Sequence, residues 1–259
     1  MGGDTSIFYI CTLKMKLFAP IRFLYKLYFG IVFFVVATLM FPFFVVAYNG
    51  KHPLKSGLRL KRIWSKLLQI LCCVPMKIEG LEHFPNKGGF IVVSNHASYL
   101  DIILMFGIVP HNFVFMGKAE LLTWPFLSYV FGKTDIPVDR VSRSSAKKSI
   151  EMAQKYLSEN VSIIIFPEGG MPASSPEMAR FKNGAFKLAQ ECNVPIVPLT
   201  FVNNWKLFSD HTDVWRRGQP GVSKVFVHPP VKVSGNFRED LVNLREEVFN
   251  IIDSKIQKQ

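Results

Sequence analysis

Twenty consecutive uncharged residues near the start of the chain constrain its fold more than any other feature. The run FGIVFFVVATLMFPFFVVAY covers residues 29–48 and is long enough for a helix that crosses a bilayer. Pro42 lies inside the run and predicts a kink or a break in such a helix. Basic residues flank both ends, so the positive-inside rule assigns no orientation. Three states stay open: a broken or re-entrant hairpin in one leaflet, a full span, and a buried helix of a soluble protein.

The positive charge of the chain is concentrated around this apolar run. Residues 1–66 contain ten Lys and Arg residues and one acidic residue, so they carry +9 of the formal net charge of +12. A nucleic-acid-binding protein more often carries its basic patch on the folded domain, so no nucleic-acid partner is expected. Basic residues beside an apolar segment instead favour contact with anionic membrane lipids.

A second segment, GLRLKRIWSKLLQILCCV at residues 57–74, has the pattern of an amphipathic helix. Its apolar residues recur at helical spacing, whereas Arg59, Lys61, Arg62 and Lys66 are expected on the other side. Such a helix suits the membrane interface, but the same stripe suits packing against a globular domain. The two arrangements are compatible with each other.

From residue 76 onward, short β-rich runs alternate with helical patterns. Strands are predicted at 76–81, 89–94, 112–117, 134–139, 161–167, 194–202 and 223–228, and helices at 100–109, 119–130, 144–159, 181–192 and 238–257. Several strands are continuous apolar runs, as expected for strands covered on both faces. The predicted fold class is α/β, with a mixed, mainly parallel sheet flanked by helices. We expect an N-terminal membrane-associated helical segment at 1–75 and an α/β domain at 76–259.

Two polar clusters follow predicted strands, which is where α/β proteins place their sites. In SNHASYLD, residues 94–101, His96 and Asp101 can meet if His96 lies in the loop and Asp101 in the first helical turn. An imidazole held by a carboxylate is prepared to act as a general base. The alternative is a helix cap in which Asp101 only complements the helix dipole. In FPEGG, residues 166–170, glycines after Glu168 permit close approach of a ligand to the backbone.

The remaining candidates are cations that follow strands or the glycine loop and could bind an anion. They are Lys118, Arg140, Arg180 and Lys182. Each is equally compatible with a solvated surface charge. The sequence contains no P-loop, dinucleotide fingerprint or Gly-x-Ser-x-Gly motif, and no zinc-ligand spacing. Its four cysteines form no C-x-x-C pair, so we expect reduced thiols, and neither a metal nor a cofactor is expected.

Taken in order, these segments resemble the glycerolipid acyltransferase family, specifically the 1-acyl-glycerol-3-phosphate acyltransferases. NHASYLD resembles the family's Asn-His-x-x-x-x-Asp block, GKTDIPVDR its second block, FPEGG its Phe-Pro-Glu-Gly block and VPIVPLTF its fourth block. The segments MGKAEL and FKNGAFKLA are also similar to family segments, and the resemblance spans roughly residues 77–230. Four blocks in this order form a specific signal.

The resemblance implies transfer of an acyl chain from acyl-CoA or acyl-carrier protein to the sn-2 hydroxyl of lysophosphatidic acid, giving phosphatidic acid. His96 would be the general base and Asp101 would orient it. The resemblance further implies a location at the cell membrane with the catalytic domain on the cytoplasmic face. Substrate-binding residues are expected among the following: Asn95, Lys118, Arg140, Glu168, Gly169, Arg180 and Lys182.

The third block departs from the family pattern. The family usually continues Glu-Gly-Thr-Arg or Glu-Gly-Ser-Arg, whereas this chain reads Glu168-Gly169-Gly170-Met171. Arg180 is a hypothetical replacement for the missing arginine if loop 169–180 folds back. The departure leaves other acceptors open, namely glycerol-3-phosphate, another lysolipid or an aminolipid. A non-enzymatic protein that binds anionic lipids is the alternative from a different functional class.

Overall fold

A computed structural model describes most of the chain. The described residues are 19–119, 123, 125–139, 143–172, 174–209, 217–233 and 239–257. They form a seven-stranded sheet with helices on its two faces, and two long helices precede the first strand. The α/β class with a mixed sheet is therefore confirmed.

All seven predicted strands are present. They are β1 (Met76–Glu79), β2 (Ile91–Ser94), β3 (Phe113–Lys118), β4 (Ile136–Val138), β5 (Ser162–Ile165), β6 (Ile196–Phe201) and β7 (Ser223–Val227). Their order across the sheet is β1-β7-β6-β2-β5-β3-β4. Every neighbouring pair is parallel except β6 and β7, so β1 and β7 run against the other five strands. Strands β2, β5 and β6 are buried along their whole length, which explains their continuous apolar sequences.

Eight helices lie within the described residues. They are α1 (Ala19–Tyr48), α2 (Pro53–Leu71), α3 (Tyr99–Ile108), α4 (Pro125–Gly132), α5 (Arg143–Ser158), α6 (Gly184–Cys192), α7 (Asn204–Leu207) and α8 (Glu239–Ile256). The helix predicted at 119–130 begins later than expected, at Pro125, although residues 120–122 and 124 lie outside the description. Cys72, Cys73 and Cys192 are free thiols, as expected, whereas Cys11 lies outside the described residues.

Helix α1 runs without a break through Pro42, so a break there is wrong, whereas a kink there stays a prediction. Pro42 is exposed, and its ring therefore points away from the packed side of the helix. Met40 and Phe44, on either side of it, are buried against the rest of the protein. Packing on both sides of the proline thus stabilises a continuous helix where local preference alone would favour an interruption. Helix α1 is long and apolar enough to cross a membrane by length and composition.

The two N-terminal helices form an antiparallel hairpin. The Tyr25 hydroxyl near the start of α1 donates to the carbonyl of Cys72, just past the end of α2, at 2.8 Å. At the other end of the hairpin, a Cβ on Gly57 would lie 2.2 Å from a ring atom of Tyr48, so only glycine permits this approach. The return of the chain therefore lies between α1 and α2 and not at Pro42.

The face of α2 that packs on the protein differs from the predicted one. Lys61, expected on the charged outer side, is only 3% exposed and forms an ion pair with Asp135 at 2.5 Å. Trp64 and Leu68 are buried beside it, whereas Ile63 and Leu67 are exposed. The helix thus packs on the domain through one face and presents a separate apolar face outward. The predicted packing against the domain is therefore confirmed, and contact with the membrane interface stays a prediction.

The hairpin shares its hydrophobic cluster with the sheet. Buried residues of α1 and α2, such as Phe44 and Leu68, belong to the same cluster as Val92 of β2 and Leu199 of β6. A second cluster covers the other face of the sheet beneath α5, α6 and α8. The division at residue 75 stays a prediction, since the hairpin and the sheet have a common core.

Candidate active site

The carboxyl ends of three adjacent strands place the polar motifs side by side. β2 lies between β6 and β5 in the centre of the sheet, and all three strands are parallel. The loop after β2 carries His96, the loop after β5 carries Glu168, and helix α7, which follows β6, begins with Asn204. Segments that are far apart in sequence therefore meet at one edge of the sheet, as expected for parallel strands.

His96 and Asp101 are in direct contact. Nδ1 of His96 lies 3.0 Å from Oδ2 of Asp101, and the Asp101 side chain is fully buried. Because a carboxylate oxygen only accepts, Nδ1 carries the proton in this pair. Nε2 is then left as a proton acceptor. The predicted meeting of the two residues is confirmed, and the arrangement is that of an oriented general base.

The same carboxylate also caps helix α3. Oδ2 of Asp101 accepts from the backbone N–H groups of Ala97 at 2.8 Å and Ser98 at 2.9 Å. Ser98 is the N-cap, and its hydroxyl oxygen accepts from the N–H of Leu100. The cap and the oriented histidine, set out above as alternatives, are therefore two functions of one side chain. The cap fixes the position of the carboxylate that holds the imidazole.

The imidazole of His96 is held by an aromatic ring as well as by Asp101. It stacks on Phe166 with 4.2 Å between ring centroids and 21° between the planes. Phe166 in turn stacks on Phe115 of β3 at 6.3 Å. The phenylalanine of the FPEGG motif thus supports the ring of the histidine from the next strand, a contact that the sequence did not indicate.

Glu168 holds the backbone of the His96 loop. Its Oε1 accepts from the N–H of His96 at 2.7 Å, and its Oε2 accepts from the N–H of Ala179 at 2.8 Å. Burial raises the pKa of this carboxyl to about 7, even though the two N–H groups act in the opposite direction. Both oxygens are thus engaged by protein groups, and the role of Glu168 visible in the structure is to position His96. Its predicted contact with substrate stays a prediction.

Asn95 is likewise occupied by backbone groups. Its amide donates to the carbonyl of Phe201 at 2.9 Å, and its carbonyl accepts from the N–H of the same residue at 2.9 Å. Asn95 is only 2% exposed. It therefore ties the His96 loop to the end of β6, and its predicted contact with substrate also stays a prediction.

Loop 169–180 folds back towards the sheet, as the Arg180 hypothesis requires. The bond from Ala179 to Glu168 and a bond from the N–H of Lys182 to the carbonyl of Pro167 close the loop. Arg180 itself is exposed and lines a cavity of about 310 Å³ together with Arg245 of α8. The structure therefore brings the loop to the site but directs Arg180 towards α8.

The structure describes only some of the other predicted anion-binding residues. Lys182 is exposed, and Gly169 adopts a left-handed conformation with φ of 81° within the turn after β5. Lys118 is the last residue of β3, but its side chain lies outside the description, and Arg140 lies outside it entirely. Among the described residues, no group of three or more His, Cys, Asp and Glu side chains could hold a metal ion. The roles of these cations stay predictions.

Sequence reasoning missed Asn204. Its Nδ2 donates to Oδ1 of Asp101 at 2.7 Å, and it is fully buried. The available signal was the Asn-Asn pair at 203–204, which follows Val202 at the end of β6 and lies at the same edge of the sheet as His96. The pair does not indicate which residues the side chains of Asn203 and Asn204 would contact.

Comparison with known proteins places this fold and site in the acyltransferase class. The family model described as Acyltransferase matches residues 75–202, which include the motifs after β2 and β5 and the whole of β6. The chain is 30% identical over 248 residues to 1-acyl-sn-glycerol-3-phosphate acyltransferase alpha of Homo sapiens, covering 93% of this chain and 81% of the relative. The chain therefore belongs to the acyltransferase family.

A second relative agrees with this membership, and a solved structure shares the fold. The chain is 28% identical over 205 residues to a 1-acyl-sn-glycerol-3-phosphate acyltransferase of Cocos nucifera, covering 77% of this chain and 63% of that one. Its fold matches the crystal structure of PlsC, the 1-acyl-sn-glycerophosphate (LPA) acyltransferase from Thermotoga maritima, with a TM-score of 0.75. That match covers 92% of this chain and 95% of the other at 24% identity.

Proposed function

We propose that this protein transfers an acyl chain from acyl-CoA or acyl-carrier protein to the sn-2 hydroxyl of 1-acyl-glycerol-3-phosphate, producing phosphatidic acid. The observation that carries the proposal is the buried His96–Asp101 pair at the carboxyl end of β2. Relatives that match most of the chain have names that state the same activity. A non-enzymatic lipid-binding protein would have no need of an imidazole whose free nitrogen is prepared to accept a proton.

The reaction would proceed by direct attack. The sn-2 hydroxyl gives its proton to Nε2 of His96 while its oxygen bonds to the carbonyl carbon of the thioester. The tetrahedral intermediate then collapses, the carbon–sulfur bond breaks, and His96 passes the proton to the departing thiolate. Asp101 stabilises the imidazolium that forms in between. A positioned base contributes roughly 10²–10⁴-fold, so the rest of the acceleration depends on substrate positioning and oxyanion stabilisation. No metal and no cofactor takes part in this proposal.

The phosphate of the acceptor is proposed to bind to the cations that follow strands or the glycine loop in the sequence. The proposed set is Lys118, Arg140, Arg180 and Lys182, beside the backbone of Gly169. Gly170-Met171 stands where the family usually has an arginine, and this favours testing acceptors other than lysophosphatidic acid. Lysolipids with larger headgroups, an aminolipid and glycerol-3-phosphate are the relevant comparisons.

Membrane association of the hairpin forms part of the proposal. Many large apolar side chains of α1 are exposed, among them Leu39 at 67% and Val46 at 74%. An exposed apolar surface of this extent marks an interaction with a membrane or another protein. Residues along α1 also contact the domain, from Lys26, which bonds Ser209, to Tyr48, which bonds Val130. These contacts favour a hairpin inserted in one leaflet over a full span, since an upright α1 would draw the domain into the bilayer.

In this arrangement the active site would face the membrane surface, from which the lipid substrate enters and to which the lipid product returns. We propose the cytoplasmic face of the cell membrane, where acyl thioesters are available and basic residues around α1 meet anionic lipids. One substrate and the product would then stay in the bilayer throughout the reaction.

Acyl transfer by the purified protein tests this function directly. Each of several lysolipid acceptors, and glycerol-3-phosphate, is combined with acyl-CoA or acyl-carrier protein, and the products are identified by mass. We expect phosphatidic acid from 1-acyl-glycerol-3-phosphate as the fastest product. Faster acylation of another acceptor would replace the proposed substrate, and the absence of any acyl product would refute the proposed activity.

A further inference from the structure

Two asparagines follow β6, and only one of them reaches the dyad. The side chain of Asn203 bonds to backbone atoms alone, with Nδ2 donating to the carbonyl of Val222 and Oδ1 accepting from the N–H of Lys224. Asn204 is fully buried, and its Nδ2 donates to Oδ1 of Asp101 at 2.7 Å. Asn203 thus bonds only to the backbone at the start of β7, whereas Asn204 reaches Asp101.

The orientation of the Asn204 amide follows from its two partners. Asp101 uses its oxygens as acceptors, so the group of Asn204 that faces it must be the NH₂. The amide oxygen then faces the hydroxyl of Ser223 at 2.6 Å, and that hydroxyl must donate. Ser223 is the first residue of β7 and is fully buried. The donors therefore run in one direction, from Ser223 through Asn204 to Asp101.

The contact with Asn204 differs in origin from the other bonds to Asp101. Oδ2 accepts from the side chain of His96 and from two N–H groups of the loop that carries it. Oδ1 accepts from α7, an element that follows a different strand. A carboxylate held only through Oδ2 can rotate about its terminal torsion, whose preference is weak. Asn204 removes that freedom.

We propose that Asn204 is a positioning residue for acyl transfer, with Ser223 fixing the direction of its amide. By holding Oδ1, Asn204 keeps Oδ2 aimed at Nδ1 of His96, so that Nε2 presents its lone pair to the acceptor hydroxyl. This inference rests on the proposed function only in taking His96 as the base. At metal sites the removal of a residue that supports a ligating side chain typically costs about 10–100-fold in affinity or activity, and we expect a loss of the same order here.

The test compares Asn204→Ala with Asn203→Ala, a matched control from the same turn. We expect kcat to fall about 10–100-fold in Asn204→Ala, with KM for both substrates within about twofold of wild type. Asn203→Ala removes an asparagine that bonds only to backbone and should keep a kcat near that of wild type. Thermal unfolding of both variants shows whether any loss of activity exceeds the loss of folded protein.

The pH profile of kcat/KM supplies a readout that a merely structural role would not change. Losing one donor leaves the Asp101 carboxylate with more of its charge directed at the imidazole, so the acid limb should move to higher pH. The titrating groups bonded to this part of the site are His96 from the same loop and Glu168 from the loop after β5. Asn203→Ala should leave the acid limb unmoved.

Ser223→Ala provides a second test that does not depend on the folding of Asn204→Ala. We expect a smaller fall in kcat, about 3–10-fold, because the amide stays but loses its fixed direction. The double variant should be no slower than Asn204→Ala, since the two residues act through one bond to Asp101. If kcat and the acid limb of the pH profile are unchanged in Asn204→Ala, the inference is overturned. If Asn204→Ala does not fold, a wild-type kcat in Ser223→Ala overturns it instead. The acyl-transfer rate of the wild-type protein tests the proposed function. The ratio of each variant's rate to the wild-type rate tests the role of Asn204.

Discussion

Substitution of Glu168 is the most informative experiment, because its sequence motif predicts a loss of substrate binding and its contacts predict a loss of catalytic rate and stability. The family motif assigns it to substrate binding, whereas its two oxygens accept the N–H groups of His96 and Ala179. In Glu168→Gln one oxygen becomes an NH₂ group that faces a backbone N–H. One buried donor then loses its acceptor, at a cost of about 1–3 kcal/mol. For a protein of this size each kcal/mol lowers Tm by about 2–4 °C.

The expected effect on catalysis follows from the same bonds. Loss of the bond to the His96 N–H frees the loop that carries the imidazole, and a misplacement of about 1 Å can lower the rate on the order of 10²-fold. We therefore expect Glu168→Gln to lower both kcat and Tm, with little change in KM for the acceptor. Initial rates and thermal unfolding are measured in the same detergent. Glu177→Gln, at an exposed carboxylate of the same loop, is the matched control.

The opposite pattern would refute this reasoning. A rise in KM for the acceptor with unchanged kcat and Tm would mean that Glu168 binds substrate. Equal effects of Glu168→Gln and Glu177→Gln would mean that the loop as a whole, and not the bond to His96, controls the rate.

Three further predictions concern the buried ion pair, the pH dependence of stability and the membrane face. Lys61→Met should lower the free energy of unfolding by about 3–5 kcal/mol, because it leaves Asp135 buried and unpaired. The double variant with Asp135→Leu should recover part of this loss, and chemical denaturation showing no recovery would count against the pairing. Because burial raises the pKa of Glu168 from its ordinary value of 4.5 to about 7, its protonation stabilises the folded state below pH 4.5, and this contribution is lost as the pH rises to 7. The free energy of unfolding of wild type relative to Glu168→Gln should therefore fall over that interval, and a rise would contradict the assignment. Leu67→Asp should weaken flotation with anionic vesicles, whereas Leu81→Asp, at a leucine outside the hairpin that is 47% exposed against 38% for Leu67, should not; equal losses would argue against the hairpin as the membrane contact.

The central part of the site could be predicted because its two residues are close together in the sequence. His96 and Asp101 are five residues apart, between an apolar run and a helical pattern. The strand ends before His96, and Ser98 caps the helix that begins at Tyr99, so the two side chains must lie near one another. Strand–helix alternation likewise predicted the sheet, since fully buried strands leave continuous apolar runs in the sequence.

The rest depended on contacts between distant parts of the chain. Asn204 is 103 positions from Asp101, and Lys61 is 74 positions from Asp135. Helical periodicity placed Lys61 with the other cations of α2, but a buried acceptor on another element decided its position. Pro42 shows the same limit, since packing on either side of it overrides a local preference that is sound in isolation.

The rate of phosphatidic acid formation by His96→Ala, relative to wild type, tests the central claim most directly. The measurement uses purified protein, 1-acyl-glycerol-3-phosphate and an acyl thioester, with thermal unfolding and vesicle binding confirming that the variant is folded and bound. We predict that the variant loses at least about 10²-fold in rate, the lower end of what a positioned base contributes. A folded, membrane-bound His96→Ala variant that forms phosphatidic acid at the wild-type rate would contradict the account.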